Sequence, residues 1–256
     1  MSRHYEIKPQ QRTYLEVIQE KKQRLKKAKQ FKAATEQASR LEREALNNLD
    51  IETIPTQNNE IKNYVCENLK APANYKNPET IEKWLAENKP EVVNKTALDG
   101  AFGEIVVIGA AVDDTSPVLF YCEDWQLPDR ETRILTQFND WLRKHITKAT
   151  PLMIGHNITK FDDRFIFQRS VINRIKPCYT PLRHNIYDTM TEWAGYGNTV
   201  SLDKLCKVLD IEQKGDIDGS KVWQYIQDGK INEVAQYCAK DVERVREIYK
   251  RMTFVE

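Results

Sequence analysis

Residues 48–53 read Asn48, Leu49, Asp50, Ile51, Glu52, Thr53, and the rest of the chain is best read outward from them. Leu49 and Ile51 alternate with Asp50 and Glu52, which is the period of a strand. The two apolar side chains therefore leave one face and both carboxylates leave the other. Two like charges side by side repel, and on a half-covered sheet they also lose hydration. A divalent cation between them relieves both costs, because hard cations prefer carboxylate oxygens. Taken alone, the same pattern describes a solvated pair on a strand edge more often than a metal site.

The segments around this strand alternate in type. Pro55 ends it, and helices are expected near Ile61–Leu69 and at Pro78–Asn88, where Pro78 suits a first helical turn. Glu104–Val112 is a strong buried strand. Val118–Cys122 is a second, joined to it by the Asp113–Pro117 turn as a hairpin. Arg130–His145 is an amphipathic helix with Ile134, Phe138, Trp141 and Leu142 on one side. A short strand at Pro151–Gly155, a helix over 160–175 and a strand near Asn185–Tyr187 follow. Helices at Ser201–Leu209, Ser220–Asp228 and Ile231–Met252 complete the pattern. A hairpin first, then strands alternating with helices, predicts an α/β fold with a mixed sheet covered by helices.

Composition narrows the classes. The chain has 256 residues, 40% hydrophobic and 30% charged, with 19 Gly plus Pro, so a low-complexity or fibrous protein is excluded. The longest apolar run, Ile105–Val112, is far short of a membrane span. No apolar stretch follows Met1, Ser2, Arg3 and His4, so no secretory leader is expected. Five widely spaced cysteines without a C-x-x-C pair fit buried thiols in a reducing cytoplasm better than a disulfide scaffold or zinc site. The net charge of +1 hides an asymmetry: residues 1–44 carry a net +6 and the remainder −5. Residues 10–46 are rich in helix formers and read as a basic helical arm (domain 1–46) ahead of a body at 47–256. Lys21, Lys22, Arg24, Lys26 and Lys27 form its densest cationic stretch. Such an arm suits contact with phosphate or self-association, and its lysines equally suit a plain solvated helix.

Two further acidic positions stand out. On the last helix Val234, Cys238, Val245 and Ile248 define the buried stripe, and Asp241 falls inside it, with Tyr237 one turn earlier at its border. A buried carboxylate needs a cation or a donor. A structural ion pair with a Lys or Arg of another element is the plain alternative. The run Gly155, His156, Asn157, Ile158, Thr159, Lys160, Phe161, Asp162 ends a strand and opens a helix, where α/β proteins place functional side chains. Asp163 is expected to face solvent there, and His156 to pack or hydrogen-bond rather than ligate.

Together these segments resemble the DEDD superfamily of 3′→5′ exonucleases, which includes polymerase proofreading domains and RNase D. The D-x-E motif matches Asp50–Glu52, N-x-x-x-F/Y-D matches Asn157 to Phe161 and Asp162, and the Y-x-x-x-D of the tyrosine subclass matches Tyr237 to Asp241. A closer resemblance is to the predicted family-B-polymerase-like exonucleases of bacteria and phages. It is carried by Ala97–Asp99 ahead of the Glu104 strand, by Ser201–Leu205 and by Lys214–Ser220.

The resemblance covers roughly residues 48–252 and leaves the arm outside. It implies an RNase H-like α/β/α fold in which Asp50, Glu52, Asp162 and Asp241 hold two Mg²⁺ or Mn²⁺ ions. Tyr237 would orient the attacking water and help deprotonate it. Asn157 would position solvent or substrate, Phe161 would pack beneath the motif, and Thr53 would touch the terminal nucleotide. The implied activity is hydrolysis at a free 3′ end of nucleic acid, single-stranded DNA in the first instance, releasing 5′-mononucleotides in a bacterial or phage-infected cytoplasm. The alternatives are an RNase D-like exoribonuclease, because the motifs do not separate DNA from RNA, and a non-catalytic nucleic-acid binder. Trp193, Tyr196 and Trp223 are candidates for base stacking, with core packing expected for at least two of them.

Overall fold

The structure is a computed structural model that describes residues 21–27, 46–145, 152–177, 186–212 and 217–255. The chain divides into two units, 1–43 and 44–256. Within the first, residues 21–27 are helical (α1) and exposed, so Lys21, Lys22, Arg24, Lys26 and Lys27 all meet solvent. The rest of the arm, with Lys214, Gly215, Asp216 and Cys178, lies outside the described residues.

The second unit is built on one mixed sheet of five strands: β1 (Leu46–Ile54), β2 (Glu104–Val112), β3 (Val118–Tyr121), β4 (Leu152–Gly155) and β5 (Ile186–Asp188). Their order is β3-β2-β1-β4-β5. β2 is antiparallel to both β1 and β3, whereas β4 is parallel to β1 and β5 to β4. The central strand is therefore the one that carries Asp50 and Glu52. Its carboxyl end shares a rim with those of β4 and β5, the position where open α/β sheets bind ligands.

Alternation sorts the side chains to two faces. Leu49, Ile51, Ile108 and Met153 pack with Ile134, Leu135, Phe138 and Leu142 of α4 (Arg130–His145) and with Phe165 and Ile166 of α5 (Asp162–Ile172). On the other face Ile54, Val106 and Val107 meet Val222 and Ile226 of α8 (Val222–Gln227) and Val234 and Cys238 of α9 (Ile231–Thr253). Beside them, Ile154 packs with Leu205 and Cys206 of α7 (Leu202–Val208) and with Val245 and Ile248 of α9. The sheet is thus flanked by helices on both sides. Val106 and Val107 share a face because the β1–β2 register shifts between Glu52 and Thr53: Glu52 pairs Val107 while Thr53 pairs Ile105. That β-bulge adds one residue to β2 and twists the ladder where β1 reaches the rim.

Several local expectations need correction. The helix from Pro78 runs on to Lys95 (α3), passing through Pro90. A helix capped by Asn58 (α2, Asn59–Glu67) matches the expectation, whereas α6 (Thr189–Ala194) is an addition, started by the side chain of Asp188. Ala97 and Leu98 belong to a 3₁₀ turn, Thr96–Leu98. Asp163 is buried, not solvent-facing. Of the three candidate aromatics, Trp193 is 48% and Tyr196 92% exposed, so core packing fails for those two. Trp223 meets Trp125 edge-on. No described helix is long and apolar enough to cross a membrane.

Candidate active site

Asp50 and Glu52 leave β1 on the α9 side, as the alternation requires. Glu52 is 7% exposed and Asp50 half-buried. Opposite Asp50 in the ladder stands Gly109. A Cβ there would come within 2.9 Å of the Cys238 sulfur and 3.0 Å of Val242 Cγ2. The missing side chain is what lets α9 lie close on the sheet and bring Tyr237 and Cys238 over the carboxylate pair. The Cys238 thiol donates to the Asp50 carbonyl at 3.5 Å. Ligand atoms of Asp50, Glu52 and Cys238 lie within 4.8 Å of one another. Cys238 was expected only as part of the α9 stripe; nothing local in the sequence marks it as a neighbour of the pair.

Asp162 reaches the same strand from the opposite helical layer. β1 pairs with β4 only from Leu46 to Asn48. Beyond that point the Ile51 N–H, between the two acidic residues, donates to Asp162 Oδ1 at 3.1 Å. Asp162 is 3% exposed, and burial pushes its carboxyl up to about 7. The two backbone N–H donors oppose that rise, and the Asp188 and Asp163 carboxylates add to it.

Asp241 is also buried, and its Oδ1 accepts from Arg244 Nη1 at 2.8 Å. Arg244 is itself buried and donates through Nε to the Glu212 carbonyl at 3.1 Å. The ion-pair partner thus exists, but it comes from the next turn of the same helix. Tyr237, 7% exposed, hydrogen-bonds to Asp241. Burial first, then the charges of Asp241, Glu52 and Asp50, hold its phenol protonated far above the usual range. The same causes, with burial leading, raise the Cys238 thiol. One phenol therefore feels three of the four candidate acids, while Asp162 is tied to the strand backbone outside the cluster of Asp50, Glu52 and Cys238.

The loop that carries Asp162 is held by a residue that the motifs do not include. Asp188, at the end of β5, accepts from the N–H groups of Asn157 (2.9 Å) and Met190 (3.1 Å) at Oδ1, and of Thr159 (3.1 Å) at Oδ2. It caps α6 and clamps the 157–159 loop with one carboxylate. Asn157 sits at φ 63°, a left-handed conformation that asparagine tolerates better than most residues. The detectable signal was Asp before Thr at a helix start, an N-cap pattern. His156 bridges Thr189 Oγ1 (3.0 Å) and the Val200 carbonyl (2.8 Å), a hydrogen-bonding residue as expected. Phe161 packs on the core 5.4 Å from the Phe165 ring. The Thr53 hydroxyl donates to the Ala97 carbonyl at 2.7 Å, so it ties β1 to the 3₁₀ turn.

The half-buried Asp50 and the buried Glu52 present carboxylate oxygens on one strand face, which suit a hard divalent cation, and the third ligand atom within reach is the Cys238 sulfur. The family described as "Predicted 3'-5' exonuclease related to the exonuclease domain of PolB" matches residues 98–256. No curated protein matches by sequence. The family B DNA polymerase of the hyperthermophilic archaeon Pyrobaculum calidifontis superposes with a TM-score of 0.54 at 12% identity, over 83% of this chain and 25% of that one. The Saccharomyces cerevisiae Pan2 pseudoubiquitin hydrolase-RNA exonuclease module aligns at a TM-score of 0.43 and 14% identity, over 82% of this chain and 29% of that one. This chain thus spans about a quarter of the length of the polymerase it resembles, and the likeness establishes the fold, RNase H-like.

Proposed function

We propose that this chain, which belongs to the family of predicted 3′-5′ exonucleases related to the exonuclease domain of PolB, is a divalent-metal-dependent enzyme of the tyrosine subclass. It removes 5′-mononucleotides from the 3′ end of single-stranded DNA. Asp50, Glu52, Asp162 and Asp241 would hold two Mg²⁺ or Mn²⁺ ions, which when bound supply water activation and neutralisation of the phosphodiester charge. The chain's own residues supply the positioning. Tyr237, hydrogen-bonded to Asp241, would orient the attacking water and help deprotonate it. Arg244 fixes the rotamer of Asp241, and the Ile51 N–H fixes Asp162. Asn157 and Thr53 lie on the rim where a terminal nucleotide would enter, and Phe161 supports the loop from below.

The observation that carries this reading is the meeting of β1 and α9, which brings ligand atoms of Asp50, Glu52 and Cys238 within 4.8 Å of one another and Tyr237 onto Asp241, across 188 residues of sequence. The test uses matched oligonucleotides of DNA and RNA, labelled at either end. Wild type with Mg²⁺ should release mononucleotides from the 3′ label, EDTA should stop it, and Asp241→Asn should lower the rate more than about 100-fold. Full activity in Asp241→Asn contradicts the mechanism, a 5′→3′ ladder contradicts the polarity, and cleavage of RNA alone contradicts the substrate.

A further inference from the structure

We propose that Arg244 is a resident counter-ion of Asp241, which competes with divalent metal for this carboxylate and so sets the metal concentration at which the site fills. This rests on the exonuclease reading above and gives a metal-regulating role to a residue outside its motifs. The Y-x-x-x-D motif ends at Asp241. Arg244 stands three residues further on, where an α-helix returns to the same face. Both side chains are shut away from solvent, Arg244 at 5% and Asp241 at 4% exposure, and Nη1 meets Oδ1 at 2.8 Å. The guanidinium is also held from its other side, since its Nε donates to the Glu212 carbonyl at 3.1 Å. A planar fork anchored at two points keeps its charge where it is.

Away from water such a charge is screened little, so it acts strongly on any ion that approaches Asp241. A neutral group bonded to a metal-binding carboxylate steadies it and helps to hold the ion. A guanidinium does the opposite, because it occupies a carboxylate oxygen and repels a second cation. Asp50 and Glu52 bring ligand atoms within 4.8 Å of each other and of Cys238 with no help from Asp241. An ion that draws on Asp241 as well meets Arg244. Access does not limit it: Gln236, Lys240 and Arg244 form one ridge of α9 along a cavity of about 460 Å³ that Tyr237 also lines. The charge of Arg244 therefore raises the metal concentration that the site needs.

Free Mn²⁺ measured by electron paramagnetic resonance reads metal binding with no nucleic acid present and no turnover. Arg244→Gln should lower the Mn²⁺ concentration at half-saturation about tenfold or more, because a buried charge in contact with Asp241 is lost. Arg251→Gln removes an exposed cation farther along α9 and should change it less than about twofold. Arg244→Lys restores a charge without the fork and should bring the value to within about threefold of wild type. Arg244→Met keeps the packing of the stem and replaces Arg244→Gln should that variant fold poorly. If wild type trims 3′ ends in Mg²⁺ and the neutral variants bind Mn²⁺ no more tightly than wild type does, the counter-ion proposal falls and the exonuclease reading stands. Weaker binding in the neutral variants would make Arg244 an orienting residue alone and overturns the proposal too, as does an Arg244→Lys that behaves like them. If wild type trims no 3′ end with Mg²⁺ or Mn²⁺, the underlying reading falls, whatever the variants bind.

Discussion

At Asp162 a fully buried carboxyl is held by an N–H from the strand it serves, at a cost the fold bears. An ordinary aspartate ionises near 3.8, whereas burial raises this one to about 7. Between those values the folded state holds a proton that the unfolded chain has lost, so this group's contribution to stability declines as pH rises from about 4 to 7 and is flat above. The slope is at most about 1.4 kcal/mol per pH unit. Asp162→Asn keeps an oxygen for the Ile51 N–H but cannot ionise. In EDTA, denaturant unfolding from pH 5 to 8 should show the variant gaining on wild type as pH rises, while exonuclease activity in Mg²⁺ drops more than about 100-fold. A variant that loses stability equally at every pH would show that Asp162 serves packing alone. Asp188, Arg244 and Cys238 complete the residue scale. They are polar groups whose roles follow from what they touch, and their types and positions in the chain do not reveal those contacts.

Between elements, the decisive contact is α9 on β2 and β1. Its 23 residues carry a buried stripe that the sequence displays openly, because helical periodicity is local. How near the helix approaches is set by Gly109, where an added methyl would meet the Cys238 sulfur. Gly109→Ala should cost about 1–3 kcal/mol in denaturant unfolding, as overpacking does. It should also lower activity about tenfold or more, because Tyr237 and Asp241 move with the helix. Adding Cys238→Ala should recover part of the stability, and strict additivity of the two changes would show that they do not touch. The other helical layer is locked differently. Glu131 on α4 accepts from Arg169 and Asn173 and from the Ile105 N–H, joining α4, α5 and β2 through one carboxylate. Arg130 pairs with Glu104 beside it. The rim at the ends of β1, β4 and β5 therefore sits between two braced layers.

For the whole molecule the question is how a polyanion approaches a unit with surplus negative charge. Residues 45–256 carry a net −5, so long-range attraction has to come from bound cations or from the arm. Lys21, Lys22, Arg24, Lys26 and Lys27 are exposed on α1 and offer that charge. With all five replaced by Gln, oligonucleotide affinity should fall at low salt. The slope of log affinity against log salt should flatten by up to roughly 0.7 for each phosphate that is no longer neutralised. Titrations between about 50 and 200 mM salt would read this; a slope equal to wild type removes the arm from binding.

The amino-acid sequence by itself determined the alternating strand with Asp50 and Glu52 on one face, the buried position of Asp241 on the last helix and the strand-to-helix opening before Asp162. Each depends on spacing within a few residues, and such patterns survive in one dimension. It also placed the hairpin, since Asp113–Pro117 is a turn by composition alone. Only the tertiary structure decided the bulge beside Glu52, the clamp by Asp188, the pairing of Asp241 with Arg244, the thiol beside the carboxylates and the cavity at the α9 ridge. These depend on register between strands and on bonds such as Ile51 to Asp162, whose partners stand 111 residues apart. Interactions of that kind are fixed by how whole elements pack, and local spacing carries no trace of them.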